Sequence, residues 1–263
     1  MRCFVFRWRG LFIAPLAAVF IHATAVAGQS AFDHTAFDRL LKRHVTHAGM
    51  VDYDAFAADD SFDGYLAGLA GADLDALDES ERLALWINAY NAYTIELINR
   101  HEERESIRNI NKMLGLFAGN GPWDERLAEV AGRTYTLNEI EHEIIRARFD
   151  EPRIHFALVC AAVGCPPLRR EAYVGARLDE QLDDQARRFL LESPEKNRID
   201  VDARRVHLSP IFDWYAEDFG DDDTAVGRAL AAYFPPGPER ELLLDGPFEI
   251  EYTHYDWSLN ARP

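Results

Sequence analysis

The chain has 263 residues, 45 of them acidic and 28 lysine or arginine, so its formal charge is −17 at neutral pH. Such an acidic chain is a poor match for nucleic acid or for an anionic membrane surface. A solvated acidic surface is the simplest meaning, and a protein that handles cationic ligands also fits. The chain is long enough for one sizeable core, and no linker divides it into separate domains.

The N-terminal segment has the three parts of a secretory signal peptide. A start with three arginines is followed by an apolar run, and Ala25, Val26 and Ala27 form a small-residue cleavage signal. The apolar run is short for a membrane span. We therefore predict that residues 1–27 are a signal peptide and that residues 28–263 form a single globular domain. The mature protein is expected to be periplasmic or secreted, with no membrane span.

Helical periodicity dominates the first half of the chain. Apolar residues at helical spacing predict helices over residues 32–47, 60–69 and 78–101. The third is the clearest, because Asp78 can cap it and Glu81 follows three residues later.

Two asparagines lie within the apolar stripe of the third helix. Asn88 and Asn91 are three residues apart and share a face. Each buried amide must find hydrogen-bond partners. The pair therefore either ties down a neighbouring loop, or orients a catalytic group or holds a ligand carbonyl.

A hairpin over residues 127–137 precedes a further predicted helix, which Asn138 can begin as its cap. His142 lies in this helix between two glutamates. The chain contains neither an HExxH motif nor the Cys/His spacing of a zinc site. We therefore predict no metal and no other cofactor, and we retain His142 as a candidate base.

The most apolar run outside the N-terminus is residues 154–160, IHFALVC, which is typical of a central strand buried on both faces. One continuous strand would separate His155 from Cys160 by roughly 16 Å and place them on opposite faces. Cys165 returns through the following loop and can approach His155. Cys160 can instead meet a histidine from another element, such as His142.

Three interpretations of the two cysteines stay open. A disulfide between Cys160 and Cys165 would close a short loop and contribute about 2 kcal/mol, and an exported protein tolerates such a bond. Two free buried thiols would act as small hydrophobic side chains. Alternatively, one cysteine is a nucleophile with a histidine as its base.

The last third of the chain alternates helices and short strands. We predict helices over residues 178–191, 209–219 and 224–233, a hairpin over 198–208 and a strand over 248–252. Asp213 and Tyr215 follow a Ser-Pro helix start and are candidates for binding a ligand.

Taken together, five segments resemble the domain-of-unknown-function 547 family over roughly residues 32–260. Many bacterial members of that family are exported proteins of similar length. Because the family is uncharacterised, the resemblance implies a fold and brings no established activity or catalytic residues. The resemblance rests on residues 86–95, 137–149, 153–173, 209–219 and 255–260.

These observations predict one α+β domain, in which helices predominate and pack on a small, mainly antiparallel sheet with residues 154–160 near its centre. The candidate catalytic residues are Cys165, Cys160, His155 and His142. The candidate substrate-binding residues are Asn88, Asn91, Asp213 and Tyr215.

Two functions follow, and the sequence leaves open whether the protein is an enzyme. The first is a thiol-dependent hydrolase or acyl transferase that acts on an amide or thioester bond of a small-molecule or peptide ligand. The second is a non-catalytic ligand-binding or envelope-scaffold module stapled by a Cys160–Cys165 disulfide.

Overall fold

The computed structural model of the protein describes residues 31–111, 121–220 and 222–263. The predicted signal peptide, residues 1–27, lies outside this part of the chain. Across the described ranges, no helix combines the length and the apolar character that crossing a bilayer requires. The α-helices are α1 Thr35–His44, α2 Tyr53–Ala57, α3 Asp60–Ala70, α4 Glu79–Arg100, α5 Arg146–Arg148, α6 Ile154–Ala157, α7 Leu178–Leu191, α8 Ile211–Trp214, α9 Ala216–Phe219, α10 Asp223–Ala231 and α11 Pro238–Asp245.

Helix α4 lies at the centre of the core, and most of its residues are buried. The Asp78 side chain accepts a hydrogen bond from the Glu81 amide at 2.8 Å, as the sequence predicts. The helices α2, α3 and α7 all pack against α4. This central helix therefore holds together elements that are far apart in sequence.

The strands form two small sheets. The strands are β1 Ala128–Val130, β2 Arg133–Tyr135, β3 Arg198–Asp200, β4 Arg205–Leu208 and β5 Glu249–Tyr252. The first two form an antiparallel hairpin, and β4 pairs antiparallel with β3 and parallel with β5. The α+β prediction, with helices predominating over small sheets, is confirmed.

The predicted strand over residues 154–160 is wrong. Ile154–Ala157 forms one helical turn, Leu158 after it is extended, and residues 158–160 belong to no helix or strand. The hydrogen bonds that a neighbouring strand would supply come from a side chain of α4. The Asn91 amide donates to the Ala157 carbonyl and accepts from the Val159 amide, both at 2.9 Å. The apolar pattern predicted a buried strand because residues 154–159 are indeed buried. Their backbone groups, however, bond to a side chain and not to a neighbouring strand.

Asn138 does not cap the helix that follows it. The capping box is formed by Thr136 and Glu139: the Glu139 amide donates to the Thr136 hydroxyl at 3.0 Å, and the Thr136 amide donates to the Glu139 carboxylate at 2.7 Å. The Asn138 side chain instead donates to Asp124 at 2.6 Å. The helix starts as a π-helix, Glu139–Ile145, and continues into α5.

His34, just before α1, is expected to make the fold sensitive to acid. It is 3% exposed, and burial lowers its pKa to about 4 from the ordinary 6.5. Between these two pH values the unfolded chain binds a proton that the folded chain does not bind. The free energy of unfolding should therefore fall by roughly 3 kcal/mol as the pH drops through this window.

Urea unfolding of the wild type and of His34→Phe at pH 7 and pH 4 measures this contribution. The loss of stability on acidification should be smaller in the variant by roughly that amount. The matched control is His254→Phe, because His254 is exposed, and it should keep the wild-type loss. An equal loss in the His34 variant would show that His34 does not govern the acid response.

Candidate functional site

An open cavity of about 200 Å³ brings five of the eight predicted site residues together. It lies between the π-helix, the loop that follows α6, helix α8 and the C-terminal segment. The five predicted residues that line it are Cys160, Cys165, His155, His142 and Tyr215.

The loop between the two cysteines forms a concave group of backbone amides around one sulfur. Ala161 adopts a left-handed backbone with φ of 63°, and such a residue between ordinary ones lets successive N–H groups converge on an anion. The Sγ atom of Cys165 accepts from the amide of Cys160 at 3.1 Å and from the amide of Ala162 at 3.4 Å. Since a backbone amide can only donate, Cys165 is the sulfur that this loop is built to stabilise as a thiolate.

Tyr255, from the C-terminal segment, completes this environment. Its hydroxyl donates to Cys165 Sγ at 3.2 Å and lies 3.2 Å from Cys160 Sγ. The ring packs directly on Gly164, where a Cβ atom would come within 2.8 Å of it. The loop needs a glycine at this position because the tyrosine approaches the backbone so closely.

Cys160 and Cys165 are both free thiols, so the structure does not contain the disulfide of the second hypothesis. Burial would raise the pKa of Cys165, but hydrogen bonds from the Cys160 thiol, Tyr255 and the two amides outweigh it and lower that pKa. The hydrogen bond with Cys165, together with burial, raises the pKa of Cys160. The two pKa shifts run in opposite directions, so Cys165 is the more acidic thiol of the pair and Cys160 holds its proton more tightly.

Lys196 contacts the backbone of this loop. Its ammonium group donates to the backbone carbonyl of Cys165 at 2.7 Å. Burial lowers the pKa of Lys196, and the negative charge of Cys165 acts in the opposite direction. This lysine therefore fixes the backbone of the loop at Cys165, and a negative charge on Cys165 would favour its protonated form.

His155 is held on the other side of the cavity by a carboxylate and an aromatic ring. Its Nε2 atom donates to Asp218 at 2.6 Å, and its ring stacks on Tyr215 with centroids 4.0 Å apart. Hydrogen bonds from Arg146 and His155 hold the pKa of Asp218 below its usual range. Burial lowers the pKa of His155, although Asp218 opposes the change. In a neutral imidazole whose Nε2 carries the proton and donates it to a hydrogen bond, Nδ1 has a free lone pair and can act as a base.

The acidic residue of this group is Asp218, and not the predicted Asp213. Asp213 is exposed and does not line the cavity. It lies in α8, whereas Asp218 lies in α9, the short helix that follows. The two helices are separated by a break at Tyr215, which changes the side chains that face inward. Sequence periodicity did not indicate this break.

The π-helix contributes Glu141 and His142. Glu141 is 7% exposed, and its carboxylate accepts from the Tyr215 hydroxyl at 2.6 Å. Burial raises the pKa of the neighbouring Tyr90, and the Glu141 carboxylate acts in the same direction. His142 is exposed at the rim, with Nδ1 3.2 Å from the Arg146 guanidinium. Local π-helical turns often occur at functional sites, and here the turn carries both residues to the cavity.

Asn88 and Asn91 do not line the cavity. Asn88 donates to the Tyr173 carbonyl at 2.7 Å and accepts from the Tyr173 amide at 3.0 Å. Asn91 holds the backbone on either side of Leu158 in the same way. The interpretation in which they tie down neighbouring loops therefore describes both, and Asn91 positions the segment that leads to Cys160.

Several residues that build the site have no signal in the sequence. A regular helix would point Glu141 away from His142, so helical periodicity does not indicate its place in the cavity. Tyr255 belongs to the terminal segment that supports the family resemblance, but it shows no local chemical signal. Among the described residues, no cluster of three or more potential ligands is arranged to hold a metal ion. The missed cavity residues are Tyr90, Trp123, Glu141, Trp214, Tyr255 and Trp257.

The fold and the cavity define an α+β protein with a polarised thiol in an aromatic-lined pocket. Residues 74–190 match the model of the family described as "Protein of unknown function, DUF547". The matched span contains α4, the π-helix, both cysteines and all of α7 except its last residue, and it ends before Asp218 and Tyr255. Neither the comparison with curated proteins nor the comparison with solved structures found a match.

Proposed function

We propose that the protein is a thiol-dependent hydrolase or acyl transferase that cleaves a thioester or amide bond, with Cys165 as the nucleophile. One observation carries the proposal: the Cys165 sulfur lines a cavity and accepts hydrogen bonds from two amides and from Tyr255. These donors stabilise the thiolate, which is the reactive form of cysteine. The predicted signal peptide would place this activity in the periplasm or outside the cell.

A thioester is the bond that this arrangement serves most directly. The Cys165 thiolate adds to the carbonyl carbon, the original carbon–sulfur bond breaks, and the leaving group departs as a thiolate. No proton donor is needed in that step, and an acyl group remains on Cys165 as a new thioester. Water or another acceptor then attacks this acyl-enzyme, loses its proton to Nδ1 of His155, and releases Cys165. Asp218 holds the imidazole in the tautomer that this step requires.

Acetyl transfer from the acetyl thioester of N-acetylcysteamine tests the proposal. The wild type should release several equivalents of free thiol per protein, and mass spectrometry should find one acetyl group on the peptide that contains Cys165. Cys165→Ser should lose both signals. His155→Gln should still become acetylated but should release the acetyl group at least tenfold more slowly, because the base for deacylation is gone.

The matched control is Cys160→Ser, which removes the neighbouring sulfur and keeps the nucleophile. It should remain acetylated at position 165. Acetylation of the wild type at Cys160 alone, or at neither cysteine, would overturn the assignment. Circular dichroism of each variant separates a lost nucleophile from a lost fold.

A further inference from the structure

Glu141 is a buried carboxylate to which the proposed chemistry assigns no task. It is 7% exposed, lines the cavity and accepts a hydrogen bond from the Tyr215 hydroxyl. Among the described residues, no lysine, arginine or histidine forms an ion pair with it. A buried carboxyl group without a cationic partner is costly for a fold to keep, so Glu141 is a polar group in the cavity wall whose cationic partner the fold does not supply.

The rest of the cavity wall is aromatic. Trp214, Tyr255 and Trp257 form a continuous cluster, with ring centroids 4.8, 4.6 and 5.7 Å apart. Trp123 extends the cluster at 6.1 Å from Trp257. Trp214 is 47% exposed, so the cluster reaches solvent, and contiguous apolar patches that reach solvent are typical of binding surfaces.

Aromatic faces together with a buried carboxylate favour a cation over a neutral ligand. The protein's own cations show that these faces attract positive charge: the guanidinium of Arg108 lies over Trp257 at 5.1 Å. Arg146 lies over Tyr215 at 5.2 Å, but its charge is neutralised by ion pairs with Asp218 and Glu217 at 2.7 and 2.6 Å. The formal charge of −17 attracts a cation to the protein as a whole.

We propose that this cavity binds an alkylammonium group, held between the Glu141 carboxylate and the faces of Trp214 and Tyr255. The two sulfurs lie beside these groups, since the Tyr255 hydroxyl contacts both of them. This site rests on the proposed function and defines the substrate class. The substrate is an acyl compound in which an ammonium group lies close to the scissile carbonyl.

Tryptophan fluorescence of the full chain measures this binding without any activity. Choline is the probe, and 3,3-dimethylbutan-1-ol, which has the same shape and no charge, is its matched control. With ionic strength held constant, choline should quench the fluorescence saturably, and the neutral compound should bind at least tenfold more weakly. Glu141→Gln keeps the side-chain shape and should weaken choline binding at least tenfold.

Trp214→Ala provides a second variant, because an exposed ring at the mouth can be removed without disturbing the core. It too should weaken choline binding at least tenfold. Equal binding of the two probes, or no saturable response to choline, would overturn the proposal. Saturable binding of N-acetylglucosamine without binding of choline would also overturn it, in favour of a sugar platform.

Cys165→Ser separates this inference from the proposed function. Choline should still bind saturably to Cys165→Ser, with less than a tenfold loss of affinity, because the serine leaves the carboxylate and the aromatic wall in place and removes only the charge of the neighbouring sulfur. Choline binding without acetylation of the wild type would reject the nucleophile and keep the ammonium site. Acetylation without choline binding would reject the ammonium site and keep the nucleophile.

Discussion

Replacing Tyr255 with phenylalanine is expected to raise the pH at which Cys165 becomes reactive by about one to two pH units. The hydroxyl is one of the donors that lower the pKa of this thiol. A hydrogen bond to a charged group contributes about 1.5 to 3 kcal/mol, and one pH unit corresponds to about 1.4 kcal/mol. Phenylalanine keeps the ring that packs on Gly164 and removes only the donor.

The measurement is the rate of alkylation of Cys165 by iodoacetamide between pH 5 and pH 10, followed by mass spectrometry on the reduced protein. Because only the thiolate reacts, the rate rises as the pH passes through the pKa of the thiol. In the wild type this midpoint should lie below that of an ordinary cysteine. In Tyr255→Phe it should move upward.

Tyr252→Phe is the matched control, because Tyr252 is 47% exposed and lies three residues before Tyr255. Its midpoint should equal that of the wild type. If Tyr255→Phe also kept the wild-type midpoint, the two backbone amides and the Cys160 thiol would account for the thiolate without the tyrosine. The role given to the C-terminal segment would then be wrong.

The long helix and the hairpins could be predicted because their signals are local. The Asp78 cap and the apolar stripe of α4 are both within one stretch of sequence, and the structure confirms them. Helix α11, Pro238–Asp245, is not among the predicted helices because its proline-rich start is typical of a loop, although proline suits the first turn of a helix. The strand predicted over residues 154–160 was wrong for another reason. The hydrogen-bond partner of this backbone is the Asn91 side chain, which is 66 residues or more away in sequence.

The cavity was predictable only in part, for the same reason. Residue type and proximity in sequence identified Cys160, Cys165 and His155. Tyr255 is 90 residues from the sulfur that it contacts, and Asp218 is 63 residues from His155. One sequence without aligned relatives contains no signal for such a pair. The left-handed backbone of Ala161 was equally hidden, because alanine gives no indication of positive φ.

Asn91→Ala is expected to lower the free energy of unfolding by about 2 to 5 kcal/mol and also to raise the alkylation midpoint of Cys165. The substitution leaves the Ala157 carbonyl and the Val159 amide buried without partners, and each such group costs about 1 to 3 kcal/mol. Val159 directly precedes Cys160, whose amide donates to the Cys165 sulfur. Loosening this backbone should weaken that donor.

Asn88→Ala separates the loss of stability from the shift of the alkylation midpoint. Asn88 lies on the same helix and also holds a backbone segment through its amide, but at another place. Asn88 holds the Tyr173 backbone through two hydrogen bonds, and neither of these reaches the cysteine loop. Urea unfolding should show a loss of similar size in both variants, whereas the alkylation midpoint should move only in Asn91→Ala. If the two variants shifted the midpoint equally, general loosening of the fold would control the thiol. A shift confined to Asn91→Ala would make this amide a positioning residue for the nucleophile, acting through the backbone that it holds.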